Sequence, residues 1–147
     1  MSGADSFFVD TNVLLYRFSA KDPTKHRAAV AWVQALWDGA LARISWQVIL
    51  EFYANASKVG ATPAIARSAV EELLLSNPEP PSHPTILRAW HWCDKAQTHF
   101  WDALIVASAE QAGCRWLLSE DFQSGRRFGE LTVVNPFERK PAEFGLS

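Results

Sequence analysis

The stretch Ser6-Phe7-Phe8-Val9-Asp10-Thr11-Asn12-Val13-Leu14-Leu15-Tyr16 decides the fold. Residues 6–9 are short, apolar and β-prone, the pattern of a buried strand. Three polar residues, Asp10-Thr11-Asn12, then interrupt it before the apolar run resumes at Val13. A polar triplet between two buried runs requires an explanation, and the rest of the chain supplies its context. Asp22-Pro23 predicts a helix start, with aspartate as cap and proline in the first turn. Ala29, Val30, Val33, Leu36 and Trp37 follow at helical spacing, and Gly39 sits where the helix should end. Residues 41–44 read as a second strand. Ser45 can cap a helix over about residues 47–58, with Gly60 beyond it. Thr62-Pro63 repeats the start signal, and Ile65, Ala69, Val70, Leu73 and Leu74 form the next apolar face.

Residues 77–84 contain four prolines and predict an extended connection, either a long loop or one short strand. Helices over about 85–95 and 100–112 follow, the second closed by Gly113. Residues 114–118 and 131–134 read as strands, the last ended by Asn135-Pro136. Strands separated by helices predict an α/β fold: a three-layer α/β/α sandwich around a mostly parallel sheet of about four or five short strands. The 147 residues fit one domain over 1–147. In such sheets ligands bind outside the carboxyl ends of the strands.

Composition narrows the function classes. Hydrophobic residues make up 48% and charged residues 20%, as in an ordinary globular protein. The longest apolar run, residues 28–33, is far short of the ~18 residues that a membrane helix needs. No signal peptide is visible, so the expected location is the cytoplasm, with Cys93 and Cys114 as reduced packing thiols. The net charge of −2 argues against a protein that coats nucleic acid by bulk charge, although not against a local nucleic-acid site.

Four acids satisfy or approach the strand-end rule. Asp10 follows the first strand, Asp121 follows the strand at 116–118, Asp102 lies in the first turn of an apolar helix, and Glu51 lies in the helix after the second strand. Each has an ordinary alternative. Asp10 could cap a turn, and Asp102 could be a favourable charge at a helix N-terminus. Glu51 could belong to a solvated stripe with Gln47, Asn55 and Lys58, and Asp121 could start a turn. All four alternatives would have to hold at once. Acids beside apolar sequence are usually paired, hydrogen-bonded or bound to a metal. Four at one sheet edge would repel one another, and a divalent cation such as Mg²⁺ or Mn²⁺ offsets that repulsion most simply.

Phe8-Val9-Asp10-Thr11-Asn12-Val13-Leu14 resembles the opening motif of PIN-domain nucleases. Ser45-Trp46-Gln47-Val48-Ile49-Leu50-Glu51-Phe52 resembles their second motif, and Trp101-Asp102-Ala103-Leu104-Ile105-Val106-Ala107-Ser108-Ala109 the third. Leu117-Leu118-Ser119-Glu120-Asp121-Phe122 resembles the fourth, with Ser119 where many relatives carry threonine, and Asn135-Pro136-Phe137 resembles a common ending. Order and spacing match from about residue 6 to 137. The short single domain resembles the VapC-type toxins of bacterial toxin–antitoxin pairs. The resemblance implies an acidic pocket of Asp10, Glu51, Asp102 and Asp121 holding one or two Mg²⁺ or Mn²⁺ ions. It implies hydrolysis of RNA phosphodiesters by a metal-activated water, a small antitoxin partner and a homodimer. Asn12, Ser119 and Glu120 would be the groups around the carboxylates, with Asp121 rather than Glu120 as the fourth ligand.

Two basic clusters, one of Arg17, Lys21 and Lys25 with His26 and Arg27, the other of Arg126 and Arg127, are expected to form a rim that holds RNA phosphates. A solvated surface of mixed charge is the rival reading of each. Of the four histidines only His99 lies near a site motif. A haloacid-dehalogenase-like phosphatase would need a second aspartate where Asn12 stands, and a catalytically silent PIN-fold binding module would keep the fold without activity. The seven tryptophans read mainly as core. Trp46 and Trp101 flank the expected pocket; core is the expected place for both, stacking on RNA bases is the alternative, and the exposure of their rings decides.

Overall fold

The computed structural model describes residues 5–147. Strand β1 (Phe7–Val9) is wholly buried, and the chain turns at Asp10 straight into helix α1 (Thr11–Tyr16). This explains the polar triplet: the Asp10 side chain accepts from the Thr11 N–H, at 2.8 Å, and caps the helix. Helix α2 (Pro23–Asp38) starts as expected, with the Asp22 side chain accepting from the Lys25 N–H. Strand β2 (Ala42–Arg43) leads into α3 (Trp46–Asn55), capped by Ser45, and a 3-10 turn over Ala56–Val59 ends at Gly60 in the left-handed region. Helix α4 (Pro63–Leu74) is capped by Thr62. The proline-rich connection does contain a pairing, a single parallel bridge between Glu79 and Ser45. Helix α5 (His83–Ala96) begins two residues earlier than its apolar pattern indicates, because Ser82 and Thr85 form a reciprocal capping box and Pro84 fits the first turn. Helix α6 (Phe100–Gln111) precedes strand β3 (Trp116–Leu118).

Besides helix α1, where the sequence showed only a resumed apolar run, two elements were not expected. Strand β4 (Arg127–Phe128) pairs antiparallel with β5 (Leu131–Val134), and a 3-10 turn over Pro141–Phe144 closes the C-terminal part. Two-residue strands carry no periodicity of their own; β4 exists because β5 offers it an edge.

The sheet order is β2-β1-β3-β5-β4, parallel except for β4. From β1 the chain crosses to β2 on one side, and from β2 it returns past β1 to β3 on the other. Right-handed crossovers then put α2 and α6 on opposite faces, as a three-layer sandwich requires. The direction reverses between β1 and β3, which makes their carboxyl ends the topological switch point where α/β sheets bind ligands. Asp10 and residues 119–121 emerge there. The core is largely aromatic on one side: Phe7, Trp32, Trp116 and Phe144 stack on one another, and the buried Trp32 N–H donates to the Pro136 and Arg139 carbonyls. No helix among the described residues is long and apolar enough to cross a membrane.

The turn between α5 and α6 sets where Asp102 enters the site. It runs through Gln97, whose φ of 52° is unfavourable for a residue with a Cβ. Replacement of Gln97 by glycine is expected to raise stability by roughly 0.5–1 kcal/mol in thermal or urea unfolding, since relief of that strain exceeds the added freedom of the unfolded chain.

Candidate functional site

A cleft of about 360 Å³ opens at the switch point, and Asp10, Glu51, Asp102 and Asp121 all line it. They arrive from the end of β1, the middle of α3, the first turn of α6 and the loop after β3. Each is held differently. Asp10 is 5% exposed; besides the Thr11 N–H, it accepts from the Ser119 hydroxyl at 2.7 Å. That hydroxyl also accepts from the Asp121 N–H, so Ser119 ties two of the acids together. Glu51 accepts from the Thr11 hydroxyl at 2.9 Å and from Gln47 Nε2 at 3.3 Å. Asp121 accepts from Asn12 Nδ2 at 2.6 Å.

Asp10 and Asp121 show the electrostatic cost. Burial pushes the Asp10 carboxyl up to about 7, with Asp121 and Glu51 adding repulsion against the restraint of Ser119 and Thr11. Asp121 is also raised, first by burial, then by the negative charges of Asp102 and Glu120. None of the four acids is ion-paired among the described residues, whose ion pairs are Lys25–Glu120, Arg88–Glu110, Arg115–Asp5 and Arg139–Glu143. Among the described residues, no three His, Cys, Asp or Glu side chains are already drawn together closely enough to hold one ion. The donor set, carboxylate oxygens facing a common cleft, is that of a hard divalent ion such as Mg²⁺ or Mn²⁺.

Several expected site residues lie elsewhere. Glu120 does not touch the carboxylates: it accepts from the Tyr16 hydroxyl and from Lys25 Nζ, the latter at 2.8 Å. Successive residues after a strand point to opposite sides, so Asp121 faces the cleft and Glu120 faces away. Lys25 is therefore neutralised by Glu120 rather than left open for RNA. Arg17 is half-buried against α2 and α4 residues such as Trp37, Leu73 and Glu72, and its Nε is buried without a hydrogen-bond partner. Burial pushes its pKa down, partly countered by Glu72. Arg126 donates to the Ala96 carbonyl at the end of α5 and lies over Phe128. Arg127 sits on the edge strand opposite Thr132. The hairpin reversal into β4 carries both arginines away from the strand carboxyl ends, and neither lines the cleft. Lys21 is exposed, and His99 is the exposed residue that precedes α6.

Other groups join the site instead. Gln47, Asn55 and Lys58 line the cleft together with Glu51. The helical stripe that suggested a solvated face is the wall of the pocket, and the signal was the acid at its centre. Trp101 also lines the cleft and is 63% exposed, and Trp46 is 37% exposed, so neither residue is in the core where both were expected.

The Asp10 carboxyl has a measurable consequence. Unfolded, it loses its proton near 3.8; folded, it keeps it to about 7. Between these values folding takes up a proton, so the metal-free protein loses stability as pH rises through this window. Asp10→Asn keeps both contacts, its oxygen accepting from Thr11 and its amide donating to Ser119. In EDTA it is expected to raise the melting temperature at pH 8, corresponding to at most roughly 4 kcal/mol, with the gain vanishing near pH 4.

Comparison with known proteins follows the same lines. Residues 7–127 match the family model of the PIN domain. No curated protein sequence matches significantly. Among solved structures, VapC20 from Mycobacterium tuberculosis, described as a sarcin–ricin-loop-cleaving toxin, is 23% identical with a TM-score of 0.63, over 86% of this chain and 99% of that one. A toxin–antitoxin complex from Klebsiella pneumoniae is 22% identical with a TM-score of 0.63, over 89% and 98%. VapBC2 from Rickettsia felis, bound to a promoter DNA fragment, is 16% identical with a TM-score of 0.62, over 88% and 97%. At these identities the likeness is one of fold. The family match spans most of the chain and includes all four cleft acids, and the chain belongs to the PIN domain family.

Proposed function

We infer that the protein is a metal-dependent ribonuclease, the toxin of a toxin–antitoxin pair. One observation carries the reading: four carboxylates from four separate elements face one cleft at the switch point, with no arginine or lysine paired to them among the described residues. Such an arrangement is costly unless a cation joins it. Asp10, Glu51, Asp102 and Asp121 would hold one or two Mg²⁺ or Mn²⁺ ions. When bound, the ion supplies Lewis acidity, which makes water a nucleophile near neutral pH and offsets charge on the phosphate.

The chain's own residues do the positioning. Ser119 and the Thr11 N–H fix both oxygens of Asp10. The Thr11 hydroxyl and Gln47 aim Glu51, and Asn12 aims Asp121. Lys58 adds a cation at the cleft wall that suits a flanking phosphate. Asn12, which donates to Asp121, stands where a phosphatase of the haloacid-dehalogenase type needs its second aspartate. A silent binding module would have no need to retain all four acids.

The toxin role and the antitoxin partner are supported by the company of the fold: a Klebsiella pneumoniae toxin–antitoxin complex and the Rickettsia felis VapBC2 pair share it. A homodimer is proposed on the family resemblance alone.

Cleavage of a structured RNA is the decisive assay. The purified chain is expected to cut with Mg²⁺ or Mn²⁺ and to stop in excess EDTA; equal cutting in EDTA would overturn the metal mechanism. Asp10→Asn and Asp102→Asn should each lower the rate by more than ~100-fold, and Ser119→Ala by roughly 10- to 100-fold. Lys58→Glu should weaken RNA binding and flatten its salt dependence by about one unit of slope, whereas Arg127→Glu should leave both unchanged.

A further inference from the structure

We propose that Trp101 is a stacking platform for an unpaired RNA base next to the cleaved phosphodiester. The proposal rests on the ribonuclease reading above and adds the side chain that holds the base.

Trp101 immediately precedes Asp102 and lines the same cleft as the four carboxylates and Lys58. The residue is 63% exposed, whereas Trp32 and Trp92 are buried. An indole left largely in water beside a polar cleft is not there for the core. Its backbone is fixed all the same. The Trp101 carbonyl accepts from Gln47 Nε2 at 3.2 Å, and the same amide donates to Glu51. Gln47 is itself only 8% exposed, so this clamp is built into the wall of the site. The ring packs edge-on against Phe100, with centroids 5.3 Å apart. Trp101 is thus a rigid aromatic surface joined through one buried amide to a carboxylate of the cleft.

The occupant follows from the neighbours. A cleft rich in acids with one lysine at its wall fits a phosphate carried to it with a cation. The flat apolar group attached to such a phosphate is a nucleobase. Bases inside a duplex are already stacked, whereas unpaired bases can splay onto an aromatic ring. A protein surface is the rival occupant. The outward stripe of Trp46, Leu50 and Tyr53 on α3, all exposed, suits that role better because it lies outside the cleft lining apart from its neighbour Gln47.

Fluorescence anisotropy with the full chain tests the proposal. The probes are a labelled octa-adenylate and a labelled RNA duplex of equal length, with Ca²⁺ in place of Mg²⁺. Trp101→Ala is expected to weaken octa-adenylate binding by roughly 5- to 100-fold and to leave duplex binding unchanged. Trp101→Phe should recover most of the loss, and cleavage of a loop-containing RNA should show the change in KM rather than kcat. Equal affinity of wild type and Trp101→Ala for octa-adenylate, in a wild type that cleaves RNA, overturns this proposal and leaves the nuclease reading standing. An equal loss on both probes, or a shift of oligomeric state in sedimentation, overturns it in favour of a structural or protein-contact role. A wild type that neither cleaves nor binds RNA overturns both readings.

Discussion

Placing the Asp10 carboxyl at the buried end of β1 is the constraint on which the rest of the structure depends. A lone carboxylate there would be prohibitive, so everything around it is arranged to hold it. The Thr11 N–H meets one oxygen at the start of α1, and the Ser119 hydroxyl meets the other from the end of β3. That second contact exists only because β1 and β3 are paired in parallel with Val9 opposite Leu118, and because the Asp10 N–H donates to the Leu118 carbonyl. A slip of one residue would turn Ser119 to the other face of the sheet and leave the acid half-satisfied. The strand register and the candidate chemistry are therefore one and the same specification.

The same tight geometry separates neighbours of like charge. Glu120 and Asp121 are adjacent in the chain, yet one closes an ion pair with Lys25 while the other faces the cleft. Lys25 also lies over the Tyr16 and Phe137 rings, so this pair fastens α2 to the loop after β3 and to the C-terminal part. A net charge of −2 conceals this division. Acids without an ion-pair partner gather at the switch point, while Lys25 and Arg126 are engaged in holding elements together.

Much of this was legible in the residues. Caps at Asp22, Ser45 and Thr62 mark helix starts because short polar side chains at those places satisfy free backbone N–H groups whatever the tertiary context. The alternation of short apolar runs with helical periods identified the parallel sheet, and acids set against apolar sequence identified the cleft. The fates of the basic residues were not legible. Arg17 lies close to Asp10 in the chain but is packed between helices, and Arg126 follows Asp121 closely but turns to the end of α5. A lysine or arginine side chain is long enough to reach several partners, and only packing chooses among them.

The chain by itself determined the long helices, the strands of the parallel part of the sheet and the acids at their ends, because these follow from local hydrogen-bond demand and from the period of burial. Only the tertiary structure decided that Gln47, Glu51 and Lys58 form a wall rather than a solvated stripe, that β4 pairs at all, and that Trp101 stays open beside the cleft while Trp32 is sealed. Those outcomes depend on what lies across from each residue, and that partner comes from a distant part of the chain.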